Sequence, residues 1–446
     1  MAKTQTAAAK TKGATNATHD LRNGQKHILI NAFDMPTVGH LSPGQWKNPK
    51  DKSATKRKLN INVLFFADTY GGYNTYENSL DKYIQHAAQW PITDPTIPIS
   101  AMAAVTKNLT FAITVSTSFE PPFFLAKRFS TLNYLTDGPF KAIGLDNPIE
   151  YDERYRQADE YLRTLYKLWE GSWADDALNP DPENDSYVDP DKVRTINHQG
   201  KYFTLNTKYI VDPTSSAGFA FASTHAEAIF VSSHSPQVLA PKIANIRRLI
   251  FATFTPIVGR TDEEARAKYA ELRSYASVIG GLIPLDQEIT AADSLEAYKV
   301  RSILDSFTTT TTDIPKWTPR IVAEAAAIGG LGPVSVGSPQ TVADKLERWV
   351  READLDGFNI GYVTTPGTFE DLVDLLIPKL RKRGTYPELP AEDAEPLTAR
   401  EKVYGKGQSG LRADHEGSTY KYDVYKEDPP YVPEEAAAIE ASVESQ

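Results

Sequence analysis

Cysteine is missing from this 446-residue chain altogether. That excludes disulfides, thiolate metal sites and cysteine nucleophiles in one step. Long apolar runs are missing too, since none approaches the ~20 residues that span a bilayer, so no membrane partner is expected. Positive charge is in deficit. Lysine and arginine number 48 against 58 aspartates and glutamates, for a net charge of −10 and a pI near 5.4. This balance argues against nucleic acid or an anionic lipid surface as partner. The motifs of several large enzyme classes are absent as well: no phosphate-cradling P-loop, no zinc spacing, no Ser-His-Asp signature and no Gly-rich dinucleotide fingerprint. His225 and His234 stand nine residues apart with no third ligand at suitable spacing, so no metal site is expected. Residues 1–26 are rich in Ala, Thr and Lys. They have no apolar core, and the basic first dozen lacks arginine, so they read as a disordered tail in a cytoplasmic protein rather than as a leader.

What the chain does have is apolar content, 41% of it, enough to bury a large core. Strands are expected at 27–33, 61–68, 109–115, 226–232, 249–258 and 358–363, from β-branched and apolar runs that end in polar residues. Helices alternate with them. One is expected at 99–107, another at 123–135 with Phe124, Arg128 and Leu132 on one face, and a long amphipathic one at 151–168. Thr261 with Glu264 has capping-box spacing and opens a helix to about 275. Ser338 followed by Pro339 opens another to about 353. A closing helix at 368–381 carries Pro378 as a kink. Alternation on this scale indicates a parallel α/β sheet. No internal repeat is visible.

The most informative stretch is Tyr151-Asp152-Glu153-Arg154-Tyr155. It places two tyrosines four residues apart on one face at the start of a helix, where free backbone N–H groups suit a phosphate. It stands beside Leu64-Phe65-Phe66-Ala67-Asp68 and Phe111-Ala112-Ile113-Thr114-Val115-Ser116. Together with Ile28 to Met35, Val38-Gly39-His40, Gly44-Gln45-Trp46, the stretch from Phe129 to Gly138, Pro333 to Pro339 and Asp354 to Ile360, these segments resemble a known family. It is the FMN-dependent two-component monooxygenases of the bacterial-luciferase superfamily, in the branch of the nitrilotriacetate, dibenzothiophene-sulfone and dimethyl-sulfide monooxygenases. The resemblance implies a (β/α)₈ TIM barrel with its site at the C-terminal ends of the strands. It implies reduced FMN, delivered by a separate NAD(P)H:flavin reductase, that activates O₂ against a small sulfur- or nitrogen-containing organic substrate, and a homo-oligomer if the barrel is intact. Flavin contacts carry over to Asp68, Thr114, Tyr151, Tyr155 and Ser215. Asp68 reads equally well as a helix N-cap, Thr114 as an ordinary strand residue and Ser215 as a plain turn serine. His40 and Trp46 are candidates for the substrate pocket. Catalytic residues are not identified.

The chain also departs from that family. Gly138-Pro139-Phe140-Lys141 runs straight toward Tyr151 where relatives carry a barrel strand, and Pro213 joins Thr214-Ser215-Ser216 with no strand between. About six barrel strands are visible where eight belong, so the expected fold is a luciferase-like TIM barrel missing about two strands through internal deletions. Such a barrel exposes strand edges. Either coding segments were skipped in this translation, or the chain is a truncated, inactive relative. The expected organisation is a tail at 1–26, the barrel at 27–387 and a partly disordered C-terminal extension at 388–446.

Overall fold

The computed structural model describes residues 27–52 without 36 and 38, 63–69, 84, 89, 93–106, 109–135, 140–144, 151–181, 186–208, 227–244, 249–276, 319–330, 332–388 and 397–425. Four strands come first: β1 (Leu29–Asp34), β2 (Val63–Phe66), β3 (Thr110–Val115) and β4 (Phe140–Gly144). Two antiparallel hairpins follow, β5 (Leu178–Asp181) with β6 (Ser186–Val188) and β7 (Thr195–Gln199) with β8 (Thr204–Lys208). The chain then returns to the main sheet with β9 (Ala228–Val231), β10 (Leu249–Val258), β11 (Val334–Gly337) and β12 (Gly357–Ile360).

The main sheet has eight strands in the order β11-β10-β12-β1-β2-β3-β4, with β9 added to β10. Every pairing in it is parallel. Ten-residue β10 serves three neighbours, pairing β9 from Leu249 to Ala252, β12 from Phe251 to Phe254 and β11 from Thr255 to Val258. Two strands are present that the sequence does not reveal. The segment expected to run directly toward Tyr151 forms β4, in register with β3 from Phe111 opposite Phe140 to Val115 opposite Gly144. Val334–Gly337 forms β11. The barrel is nevertheless incomplete in another sense, because among the described residues no ladder joins β4 to β9.

The sheet is curled. Adjacent strands lie about 4.8 Å apart, so in a flat sheet β9 would stand about 14 Å from β1 and about 19 Å from β2. Phe230 of β9 instead has its ring 5.2 Å from Phe33 of β1 and 6.0 Å from Phe65 of β2. Only a sheet wrapped around these rings brings them together. Asn31 and Asn359 share the strand parity of Phe33, and Asn31 Nδ2 donates to Asn359 Oδ1 at 2.9 Å. The alternate residues face out. Ile30, Ala32, Leu64, Phe66, Phe111, Ile113, Phe254 and Phe358 join one core cluster with the helices. Gly357 is needed where β12 meets β1, since a Cβ there would lie 2.1 Å from the Leu29 carbonyl oxygen.

Among the described residues, the α-helices of eight residues or more are α1 (Thr96–Ala103), α2 (Pro122–Leu135), α3 (Tyr151–Tyr166), α4 (Pro236–Ile243), α5 (Asp262–Tyr275), α6 (Pro319–Ala326) and α7 (Pro339–Ala353). Ser338 caps α7 as expected, accepting from Thr341 N with Pro339 in the first turn. Thr261 caps α5 through Glu264 N. The helical stretch expected at 368–381 turns from a π-type run, Leu372–Leu376, into Ile377–Lys382 beside Pro378. One face differs from expectation. In α2 the buried stripe is Leu125, Ala126, Phe129 and Leu132, at helical spacing, while Phe124 is exposed.

The described part of the C-terminal extension, 397–425, is docked on the barrel. Its helix Ala399–Tyr404 opens with a capping box between Thr398 and Glu401. Arg400 Nε donates to both carboxylate oxygens of buried Glu227 at 2.9 and 3.2 Å, and Lys402 Nζ reaches Thr110 Oγ1 at 3.4 Å. Both acceptors lie at N-terminal strand ends, those of β9 and β3. Further on, Arg163 of α3 donates to Tyr420 Oη at 3.0 Å, and Arg194 Nη1 and Nη2 donate to the carbonyls of Tyr425 and Tyr422.

Candidate active site

The C-terminal ends of β2 and β3 open onto a pocket of about 160 Å³. Asp68 and Thr114, named from the sequence, both line it. Strand alternation turns Thr114 away from the core of Ile113 and Val115. Its side chain is buried, the residue being 4% exposed, and its Oγ1 has no hydrogen-bond partner. Leaving a buried hydroxyl unsatisfied costs about 1–3 kcal/mol, and a ligand that bonds to it removes that cost.

Asp68 lies two residues beyond β2, and its Oδ1 accepts from Thr69 N at 2.9 Å. Burial pushes its carboxyl up to about 6, against the lowering effect of that N–H, with Asp94 and Glu120 adding further upward push. The pocket's other charged groups are already engaged. Asp94 Oδ1 accepts from Thr96 N at 2.8 Å and from Thr96 Oγ1 at 2.6 Å, at the start of α1. Arg128 of α2 straddles Glu120, with Nη1 3.1 Å from Oε1 and 2.9 Å from Oε2. Ser116 shapes the turn before Glu120 by accepting from Ser118 N and Phe119 N, both at 3.2 Å.

Asp94, Thr96, Glu120 and Arg128 are not singled out by the sequence. Asp94-Pro95-Thr96 sits in what reads as a Pro- and Thr-rich loop. Arg128 falls on a helix face without a partner, and the eight-residue gap to Glu120 spans a turn that no helical period reveals. The remaining sequence candidates are not gathered here. Tyr151 opens α3, and Tyr155 is half-buried one turn later, outside the lining of this pocket. In the same motif Glu153 accepts from Lys201 Nζ at 2.8 Å and from Tyr202 Oη at 2.5 Å, docking the β7–β8 hairpin on α3. The side chain of Tyr151, together with Ser215 and His225, lies outside the described residues.

A second group of side chains fills the mouth of the barrel. Phe33 stacks on Phe65 at 5.1 Å, and buried His40 meets Phe33 edge-on at 4.7 Å and Tyr362 at 5.9 Å. Trp46 is 49% exposed. Burial lowers the pKa of His234, and among the described residues no three acidic or histidine side chains are grouped to hold a metal ion.

The fold of this sheet and its helices is shared with known proteins. The luciferase-like monooxygenase family model matches residues 70–356. The chain belongs to that family. A dimethyl-sulfide monooxygenase from Hyphomicrobium sulfonivorans is 37% identical over 90% of this chain and 95% of its own. A long-chain alkane monooxygenase from Geobacillus thermodenitrificans is 36% identical over 89% and 98%. Among solved structures, DmoA from Hyphomicrobium sulfonivorans superposes with a TM-score of 0.78 at 35% identity, covering 91% of this chain and all of that one. The riboflavin lyase RcaE, solved with modified FMN and riboflavin, gives 0.76 at 25% identity, covering 89% and all of it. This luciferase-like monooxygenase thus matches its relatives over nearly their whole length, which disfavours the truncated, inactive alternative.

Proposed function

We propose that this luciferase-like monooxygenase is the oxygenase half of a two-component system. It takes reduced FMN from a separate NAD(P)H:flavin reductase and uses it with O₂ on a small organic substrate. The observation that carries the reading is Thr114 Oγ1, a buried hydroxyl without a partner, in one pocket with Asp68 at the strand C-termini. An orphaned hydroxyl beside a protonatable carboxyl suits a heterocycle edged with carbonyl and N–H groups, so the residues present fit a flavin. Asp68 and Thr114 would hold its ring system. Tyr151, Tyr155 and Ser215 would hold the ribityl phosphate, with the start of α3 supplying free N–H groups. The bound flavin supplies the oxygen-activating chemistry; the chain's own residues bind it, orient it and keep water from it. Sulfur- or nitrogen-containing molecules are the proposed substrates, the relative acting on dimethyl sulfide supporting the first.

The working unit would be the barrel, 27–387, with the extension from 388 fastened beneath it. It would act in the cytoplasm, where NAD(P)H and a reductase are available. A homo-oligomer is supported by the apolar side chains of Ile97 in α1, Val105 just beyond it and Phe124 in α2, which are 73%, 82% and 62% exposed.

Titration of FMN fluorescence tests the site. Thr114→Val should weaken binding by one hydrogen bond, ~0.5–1.5 kcal/mol, and Tyr155→Phe by ~1.5–3 kcal/mol if its hydroxyl meets the charged phosphate. Equal affinity for wild type and both variants would sink the assignment.

A further inference from the structure

The groups around Asp68 and Thr114 bear on what the enzyme oxidises, an inference that rests on the function proposed above. Four ionisable side chains line the pocket, Asp68, Asp94, Glu120 and Arg128. Three are acids, and the single base has both of the Glu120 carboxylate oxygens within 3.1 Å of its Nη1. An incoming carboxylate would therefore find the guanidinium charge already offset by Glu120 and would face Asp94 and Asp68 besides. With all four groups ionised the pocket carries a net charge of −2. The Thr114 hydroxyl, without a partner, is a buried polar group able to meet a ligand here, and a hydroxyl serves an uncharged acceptor or donor as well as a charged one. The Glu120 side chain is 12% exposed, so its repulsion of an anion is screened less than that of a surface carboxylate, whereas Asp94 stands at the exposed rim and acts more weakly.

We propose that Asp94 and Glu120 are specificity-determining residues that restrict this pocket to uncharged or cationic small molecules, with Glu120 acting in part by occupying Arg128. A substrate has to approach the ring where Asp68 and Thr114 hold it, so it meets the field of the same carboxylates. Within the proposed class of sulfur- and nitrogen-containing substrates, dialkyl sulfides and amines are admitted and their carboxylated analogues are refused. Asp68 modulates the refusal. It is ionised above about pH 6 and protonated below, so the pocket's net charge falls from −2 to −1 as pH drops through that value. Discrimination against anions weakens in the same direction.

Three probes of similar size separate the cases: dimethyl sulfide, (methylthio)acetate and 2-(methylthio)ethylamine. Their binding to the full chain is measured by saturation-transfer NMR at pH 7.5 and pH 5.5, with and without FMN. FMN affinity is measured separately, so a protein that fails to bind flavin overturns the proposed function while the probe series still judges the pocket. The anion is expected to bind at least tenfold more weakly than the other two at pH 7.5, with a smaller gap at pH 5.5. Glu120→Gln removes the charge that offsets Arg128 and should raise (methylthio)acetate affinity at least tenfold, leaving dimethyl sulfide little changed. Asp94→Asn should narrow the gap without freeing a cation, and serves if Glu120→Gln does not fold. Anion binding as tight as that of dimethyl sulfide in the wild type, no binding of any probe, or no gain for the anion in either variant would overturn the proposal.

Discussion

At the residue scale, Thr114 and Asp68 both carry a cost in the fold that a ligand can relieve. Replacing Thr114 by Val removes an unsatisfied hydroxyl at nearly constant shape, so flavin-free Thr114→Val should be as stable as wild type or up to ~1 kcal/mol more stable. A lower midpoint in denaturant would show that the hydroxyl has a structural partner. Asp68 has a folded-state pKa near 6, above the 3.8 of the free side chain. Its charged form is disfavoured by burial, so any stability it contributes is present below pH 4 and is lost as pH rises through 6. Asp68→Asn should therefore be more stable than wild type at pH 7.5, by on the order of 1 kcal/mol after screening, and equal to it at pH 4. A variant that is less stable at pH 7.5 contradicts the desolvation account. Both residues were legible through their place in strand motifs, but Thr110 and Thr114 look alike in sequence. Only the fold shows Thr110 contacted by Lys402 and Thr114 left without a partner. The Glu120–Arg128 pair was illegible because a turn, not a period, brings it together.

At the scale of elements, long periodic segments were readable and short ones were not. Helix α7 buries Val342, Ala343, Leu346, Trp349 and Ala353 on one stripe, and its Ser-Pro start announces it. Strands β4 and β11 span five and four residues and end in glycine, too short for a run to separate them from loop. Their hydrogen bonds come from β3 and β10, which is information held elsewhere in the chain. The extension beyond 388 is Pro-rich and acidic, yet its 397–425 segment is anchored by a buried ion pair that no local pattern announces. Arg400 and Glu227 side chains are 6% and 5% exposed, so Arg400→Met alone takes the guanidinium from a buried carboxylate and should cost ~3–5 kcal/mol. Arg400→Met with Glu227→Leu should recover most of that loss. A double-mutant cycle on denaturant midpoints measures both, and additive losses would show that the two side chains do not act as a pair.

For the whole molecule, the governing feature is a curled parallel sheet of eight strands whose ladder is open between β4 and β9 among the described residues. The family resemblance made the barrel legible. The sequence points to lost strands at 138 and 213; β4 stands at the first of these places, and the second lies outside the described residues. Edges that lack a partner lose protection first, so amide exchange in β4 and β9 should run ahead of β1 and β12, which are paired on both sides. Equal protection across all four would mean that the barrel is closed. A form with family-length segments restored at 138 and 213 should melt at a higher temperature than this chain, and a cooperative melt of this chain at or above the restored form would contradict the reading of an open seam. What the molecule does depends on whether it receives its reducing power from outside. Nothing in the sequence supplies a Gly-rich strand–turn–helix site for a nicotinamide, and Asp68 with Thr114 offers room for one polar ring edge rather than for a second cofactor. The direct measurement is flavin absorbance after anaerobic mixing of the purified protein with FMN and NADH. The account predicts an unchanged spectrum until a flavin reductase is added and prompt bleaching afterwards. Rapid bleaching without the reductase would contradict it.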